Sequence, residues 1–302
     1  MSPSTPGRLP RRGRGTEALP PCGAFLRFAI AERQKAGTMM DVFYIIPAWL
    51  MALILGLLVV ATVEGGYRLG CRTSPRASES SRGVFAALVA AVLGLLGLLL
   101  AFSFAMAAAR YDLRTALVLR EANAIGTAYL RTSVVEEPAR EQIQGVLRAY
   151  VDARIAEAEA RSDQTRLPRT TTEVERLQRE LWALVGPAVH RDPHAVSLVW
   201  VAQALNEVSD LRAERAAAQA NHVPETVIWL LGVAAVLTGL LSGYACGTTA
   251  HRQVLATSVL AVVVTLVVWA ILDLDRPQRG LIRVQQQAMR GLRERMQYEG
   301  AR

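Results

Sequence analysis

Four runs free of charged side chains, at 43–63, 84–109, 226–246 and 254–272, constrain this chain more than any other feature. Each is about as long as the ~20 residues a helix needs to cross a bilayer, where the backbone must bond within its own helix. The runs form two pairs, and the polar stretch 110–225 lies between them. The expectation is an all-α membrane protein: four transmembrane helices in two pairs, with a helical cytoplasmic bundle inserted between the second and third. In chain order this divides into a segment at 1–39, spans at 40–63 and 84–109 joined by a short non-cytoplasmic loop at 64–83, and the domain at 110–225. Spans at 226–246 and 254–272 follow, with a short loop at 247–253 between them and a basic C-terminal tail at 273–302.

Segment 1–39 is rich in Pro, Gly and Arg and lacks helical periodicity. It reads as a disordered basic tail, or as an over-extended frame with translation starting at Met39 or Met40. The net charge of +8 is unevenly spread. Residues 1–40 carry seven basic against two acidic residues and 273–302 seven against four, while 110–225 carry fifteen against seventeen. A nucleic-acid binder concentrates basic residues on a folded face, and this central segment is slightly acidic, so no nucleic-acid partner is expected. Cys22, Cys71 and Cys246 are isolated from one another, which gives neither a disulfide framework nor a zinc cluster.

Basic residues near the spans set the orientation. Twelve lie on the side shared by the N-terminus, the central domain and the C-terminus, among them Arg110, Arg114, Arg120, Arg276 and Arg279. Five lie on the other side, four of them, Arg68, Arg72, Arg76 and Arg82, in the first short loop. The balance places the termini and the central domain in the cytoplasm and the chain in the inner (plasma) membrane, its spans in contact with lipid.

Helical spacing runs through the central segment: Ile143, Val146, Tyr150, Val151 and Ile155; then Val174, Leu177, Leu181 and Val185; then Val201, Leu205, Val208 and Leu211. Pro138 opens the first helix, Thr172 with Glu175 forms a capping box for the second, and Pro187 and Pro193 bracket a turn before the third, at 195–221. The second span has no stop at its inner end and is expected to continue as one helix to Tyr129, and Pro224 is expected to start the third span.

The run 95–100 (LLGLLL), then Arg110-Tyr111-Asp112-x-Arg114, Glu121-Ala122-Asn123, and the closing Asp273-Leu274-Asp275-Arg276-Pro277-x-x-Gly280 together resemble the bacterial bestrophin-like family. The resemblance covers Met40 to about Arg290. More distantly the chain is similar to bestrophins, which are pentameric anion channels whose second span lines a narrow apolar neck. The resemblance implies a homo-oligomeric anion channel here.

A pore face on the second span would run through Gly94, Leu98, Phe102 and Met106 at four-residue spacing, and such an apolar ring can gate by dewetting. Any helix buried in a four-span bundle shows the same composition. No Asp, Glu, Lys, Arg or His lies within the four runs, which disfavours a proton-coupled pump. Gly239 and Gly243 form a close-packing pair for membrane helices, read first as intramolecular. Asp273 and Asp275 follow the last span, where a helix dipole disfavours acids, so Arg276 and Arg279 are the simplest partners. By resemblance to animal bestrophins, the same two carboxylates are candidate ligands of a divalent cation. Asn206, Asp210 and Glu214 form a row that is either solvated or meets arginines of a neighbouring helix. His190 and His194 read as loop residues because Pro193 breaks their register. No catalytic motif is present, so neither an enzyme nor a cofactor is expected. The alternative to a channel is a membrane-anchored scaffold or signal-coupling protein, in which the second-span helix passes its state to the bundle.

Overall fold

The computed structural model describes residues 46–73, 79–161, 163, 165–191, 196–249, 252–276, 280 and 282–300. Helix α1 is Ala48–Thr73 and α2 is Glu79–Arg131. After a 3₁₀ turn at Thr132–Val134 come α3 (Ala139–Ala160), α4 (Leu167–Arg191) and α5 (Val196–Ala220). Helices α6 (Glu225–Thr248), α7 (Val254–Asp275) and α8 (Gln287–Gly300) complete the order, and no strand occurs among the described residues.

Helix α2 organises the molecule. Its 53 residues carry no proline and continue unbroken from the apolar span into polar sequence, as expected from the missing stop signal. At 1.5 Å per residue it is about 80 Å long, against about 30 Å of bilayer hydrocarbon, so more than half of it projects beyond the lipid. Two cores share this rod. Against its apolar part pack α6 and α7, with α1 packed on those two, through Val59, Leu96, Leu100, Ala107, Leu231, Val264, Val268 and Ile271. Around its polar part, α3, α4, α5 and α8 pack through Leu117, Ile125, Leu147, Tyr150, Val174, Leu205 and Met289. The stripes read from periodicity are those that become buried: Ile143, Val151, Val185 and Val201 are each essentially inaccessible.

The seam between α1 and α6 explains why α1 runs ten residues past the expected end of its span, through Glu64 to Thr73. Gly66 and Gly70 of α1 face Leu240, Tyr244 and Gly247 of α6, while Gly243 lies against the Val63 carbonyl; a Cβ on any of these glycines would overlap the opposing backbone. Such contact needs residues without side chains, and it lets the two backbones pack directly. Thr73 closes the far end of the seam by donating to the Tyr244 hydroxyl at 3.0 Å.

Three expected boundaries are corrected. Thr172 does not cap α4: it lies inside a helix that begins at Leu167, and its hydroxyl donates back to the Pro168 carbonyl at 2.8 Å. The stop before α4 is instead Asp163, whose carboxylate accepts the backbone N–H of Thr165 at 2.9 Å in an Asx turn. Pro187 does not bracket a turn but lies within α4, near enough to its end that the one missing N–H is tolerated. His190 is consequently helical backbone of α4 and not a loop residue. Pro193, His194, Pro277, Arg279, Cys22, Met39 and Met40 lie outside the described residues. Pro138 and Pro224 occupy the N-cap positions of α3 and α6. Helix α8 was not anticipated; seven basic residues in the tail hid the apolar stripe Met289, Leu292 and Met296, all buried in the polar-domain core.

Candidate functional site

The membrane half of α2 has two unlike faces. Leu96, Leu100, Ser103 and Ala107 turn inward against the other spans. Leu98 and Phe102 turn outward at 51% and 66% exposure, with Gly94 and Gly97 also open. Met106 does not share this outward direction and packs partly against the inner core. The reason is helical geometry: each four-residue step advances about 40° beyond a full turn, so the third step from Gly94 has rotated about 120°. Ala105, at eleven residues from Gly94, holds the outward direction and is exposed.

Where α2 leaves the apolar half, Arg114 ties three chain segments together. Its side chain is buried, and its guanidinium donates to the carbonyls of Ala218 (3.0 Å) and Asn221 (2.8 Å) at the end of α5, and of Asp275 (3.3 Å) at the end of α7. Carbonyls at helix C-termini lack intrahelical donors, so a cation there satisfies them and the helix dipole together. Asp275 is bonded in turn: its carboxylate accepts the Val223 N–H at 2.9 Å and lies 3.4 Å from the His222 ring. Asp273 accepts the Ile282 N–H at 2.9 Å, and Gly280 presses so close to that carboxylate that a side chain would not fit. Asp273 therefore holds the chain after α7 at Gly280 and Ile282, while Asp275 holds the link between α5 and α6. Arg110 at the same level buries its Nη1 with no hydrogen-bond partner among the described residues, and Tyr111 packs partly against the membrane core.

About two turns further along α2 from Arg114, Glu121 is completely buried. Arg154 of α3 grips its carboxylate through the Nε and Nη2 edge of the guanidinium, at 2.7 and 3.0 Å, and Arg215 of α5 also donates to it. Arg154 also bonds Glu157, which accepts from the Thr171 hydroxyl of α4 at 3.1 Å. Burial by itself pushes the Glu121 carboxyl up, but the two arginines hold it below the usual carboxylate range. Desolvation likewise raises the neighbouring Tyr150 hydroxyl, to about 12. This network joins α2, α3, α4 and α5 at a single point.

Of the remaining residues singled out in the sequence, Asp112 and Asn123 are exposed on α2. Asn206 and Asp210 are exposed, and Glu214 meets Arg120 of α2 at 3.3 Å. Arg276 reaches the Met51 sulfur at 3.2 Å, and Gly239 lies against Thr62 and the Val59 carbonyl. Sequence reading missed Arg154, Glu157 and Arg215. Their signal was present, since Arg154 directly precedes Ile155 on the Tyr150–Val151 stripe and Arg215 lies one turn past Leu211.

Four apolar helices in two pairs, built on one long rod with polar helices packed round its far half, define an all-α multi-pass membrane protein. The Bestrophin-like domain matches residues 57–289, and the chain belongs to that family. No curated protein sequence matches it. Among solved structures, it is similar to a crystal structure of a mutant bacterial bestrophin homologue from Klebsiella pneumoniae. The TM-score is 0.62 at 12% identity, covering 83% of this chain and 100% of the other. A further crystal structure, of a mutant membrane protein, matches with a TM-score of 0.59 at 14% identity over 84% of this chain and 98% of the other. At such identity the likeness is one of fold.

Proposed function

We propose that protomers assemble around α2 into an ion-conducting pore, with Gly94, Leu98 and Phe102 forming an apolar neck and Met106 at its margin. The observation that carries this reading is the outward face of α2: apolar and exposed, left uncovered by α6 and α7, the two spans that pack on its opposite side. The exposed face does not end with the membrane. Leu113, Leu119 and Leu130 remain about half exposed or more on the polar half, within about 60° of the Leu98 direction, where lipid cannot account for them. A second copy of α2 would cover both halves along one line. Membership of the Bestrophin-like family and the fold shared with bacterial bestrophin homologues support the same reading.

By the same family analogy the assembly is a pentamer, the ion a small anion, and the polar helices lie on the cytoplasmic side of the inner membrane. A ring of Phe102 side chains would hold the neck dry and closed, as hydrophobic constrictions do. Reconstituted into liposomes, the wild-type chain should pass chloride slowly, and Phe102→Ser should raise the flux several-fold by letting water into the neck. Equal flux in empty and protein-containing liposomes for both forms would overturn the proposal in favour of a non-conducting scaffold.

A further inference from the structure

Behind the Glu121 network, between the far side of α2 and the chain that follows α7, lies a cavity of about 440 Å³. Four segments line it: Arg114 and Val118 of α2; Glu159 and Arg161 at the end of α3; Arg215 and Gln219 of α5; and 283–290, which contributes Arg283, Gln286 and Arg290. The volume falls within the ~300–1,000 Å³ range of small-molecule sites and is far larger than a halide needs.

The wall is cationic in excess. Among the described lining residues Arg114, Arg161, Arg215, Arg283 and Arg290 face one carboxylate, Glu159, which is already paired with Arg290 at 2.9 Å. Of the two carboxylates behind the wall, Glu121 is shared by Arg154 and Arg215, and Glu157 is bonded to Arg154 and Thr171. Three buried polar atoms of the lining residues have no partner among the described residues: Arg161 Nε, Arg215 Nε and Gln286 Oε1. Arg161 uses Nη1 on Gln219, and burial pushes its guanidinium down to about 10, the sign of a buried cation with incomplete compensation. Buried donors are normally satisfied, and two arginines of one cavity wall that each leave a donor without a partner among the described residues suit the charge of an oxyanion. Gln286 Oε1 adds an acceptor for a hydroxyl group. No aromatic ring occurs among the described lining residues, so a nucleobase would find nothing to stack upon.

We propose that this cavity binds a phosphate group carried on a small hydroxyl-bearing body, the phosphate seated on Arg161 and Arg215. The body would lie along the glutamines of the chain after α7, tying that chain to α2. A soluble phosphate ester and a lipid headgroup both have this chemistry, since the cavity lies just beyond the end of the apolar half of α2. The proposal does not depend on whether the protein conducts ions.

The full chain in phosphatidylcholine nanodiscs, titrated calorimetrically with pyrophosphate as the probe, tests it. The expected result is saturable binding of one pyrophosphate per protomer, not displaced by equimolar chloride and weakened about tenfold or more by Arg161→Gln. Arg283→Gln, at the solvent-facing rim, should weaken binding without touching the buried network, which keeps the test decisive if Arg161→Gln fails to fold. Absence of saturable binding, or unchanged binding in the folded variants, would overturn the proposal. Nanodiscs containing phosphatidic acid separate the sources: weaker apparent pyrophosphate binding there identifies a lipid headgroup as the occupant, and unchanged binding a soluble phosphate ester.

Discussion

At the scale of single residues, the most consequential side chain is Glu121. A carboxylate with no exposure, bonded by Arg154 and Arg215, contributes little relative to an apolar substitute but costs a great deal to break. Glu121→Gln leaves two buried guanidinium groups short of a counter-charge, and a loss of about 3–5 kcal/mol is expected, read as a large drop in thermal midpoint in detergent. The pH dependence follows from the lowered carboxyl value. The stabilisation is complete above the ordinary carboxylate range and drains away as pH falls through the lower folded value, when the buried carboxylate takes up a proton. Wild-type stability should therefore fall in acid below about pH 4, and Glu121→Gln should lose that part of the acid sensitivity. Equal acid profiles for the two proteins would show that other carboxylates govern the response.

At the scale of elements, close backbone approach and a hidden helix decide the packing. Gly243→Leu drives a side chain into the Val63 carbonyl, and neither helix backbone can move away without opening the Gly66–Gly70 contacts on either side. The expected result is loss of folded protein on size-exclusion chromatography, whereas Gly232→Leu on the same helix, with open space beside it, should be tolerated. Helix α8 makes the opposite point. Leu292 is buried against α2 and α3 despite the basic residues around it. Leu292→Ala should cost about 2–5 kcal/mol, as core leucines do, measured as a lower midpoint of denaturation. Arg293→Ala, half exposed beside Asp152, should cost little.

For the whole molecule, the uncovered face of α2 is the feature with most bearing on function. Native mass spectrometry of the detergent-extracted protein should give a pentamer, and Leu119→Glu with Leu130→Glu, both on the polar half, should shift it toward monomer without unfolding the protomer. A monomeric wild type would leave no ring of second spans, and with it no pore. The same two-core arrangement makes α2 the element common to both cores. One rod carries the contacts of its apolar half at Leu96 and Leu100 and the polar-domain contacts at Leu117 and Ile125.

Much of this architecture was legible without coordinates. Four spans, the unbroken α2, the three amphipathic stripes and the N-capping prolines all follow from local spacing, because an apolar run or a 3.6-residue stripe has to be buried whatever its neighbour is. The failures were local too: Thr172 and Pro187 look like punctuation in a sequence, but a threonine can bond back within its helix and a proline can be accommodated near a helix end. Tertiary structure alone decided where the charges go. Stripe position puts Arg154 and Arg215 beside buried faces, but it does not say whether an arginine head reaches water, a buried Glu121 or, as with Arg161, the wall of a cavity. Which of these occurs depends on how α2, α3 and α5 come together across long stretches of chain. The α8 stripe was ambiguous for the same reason: three apolar residues among the five charges of that helix become a core only once α2 and α3 present a groove to receive them.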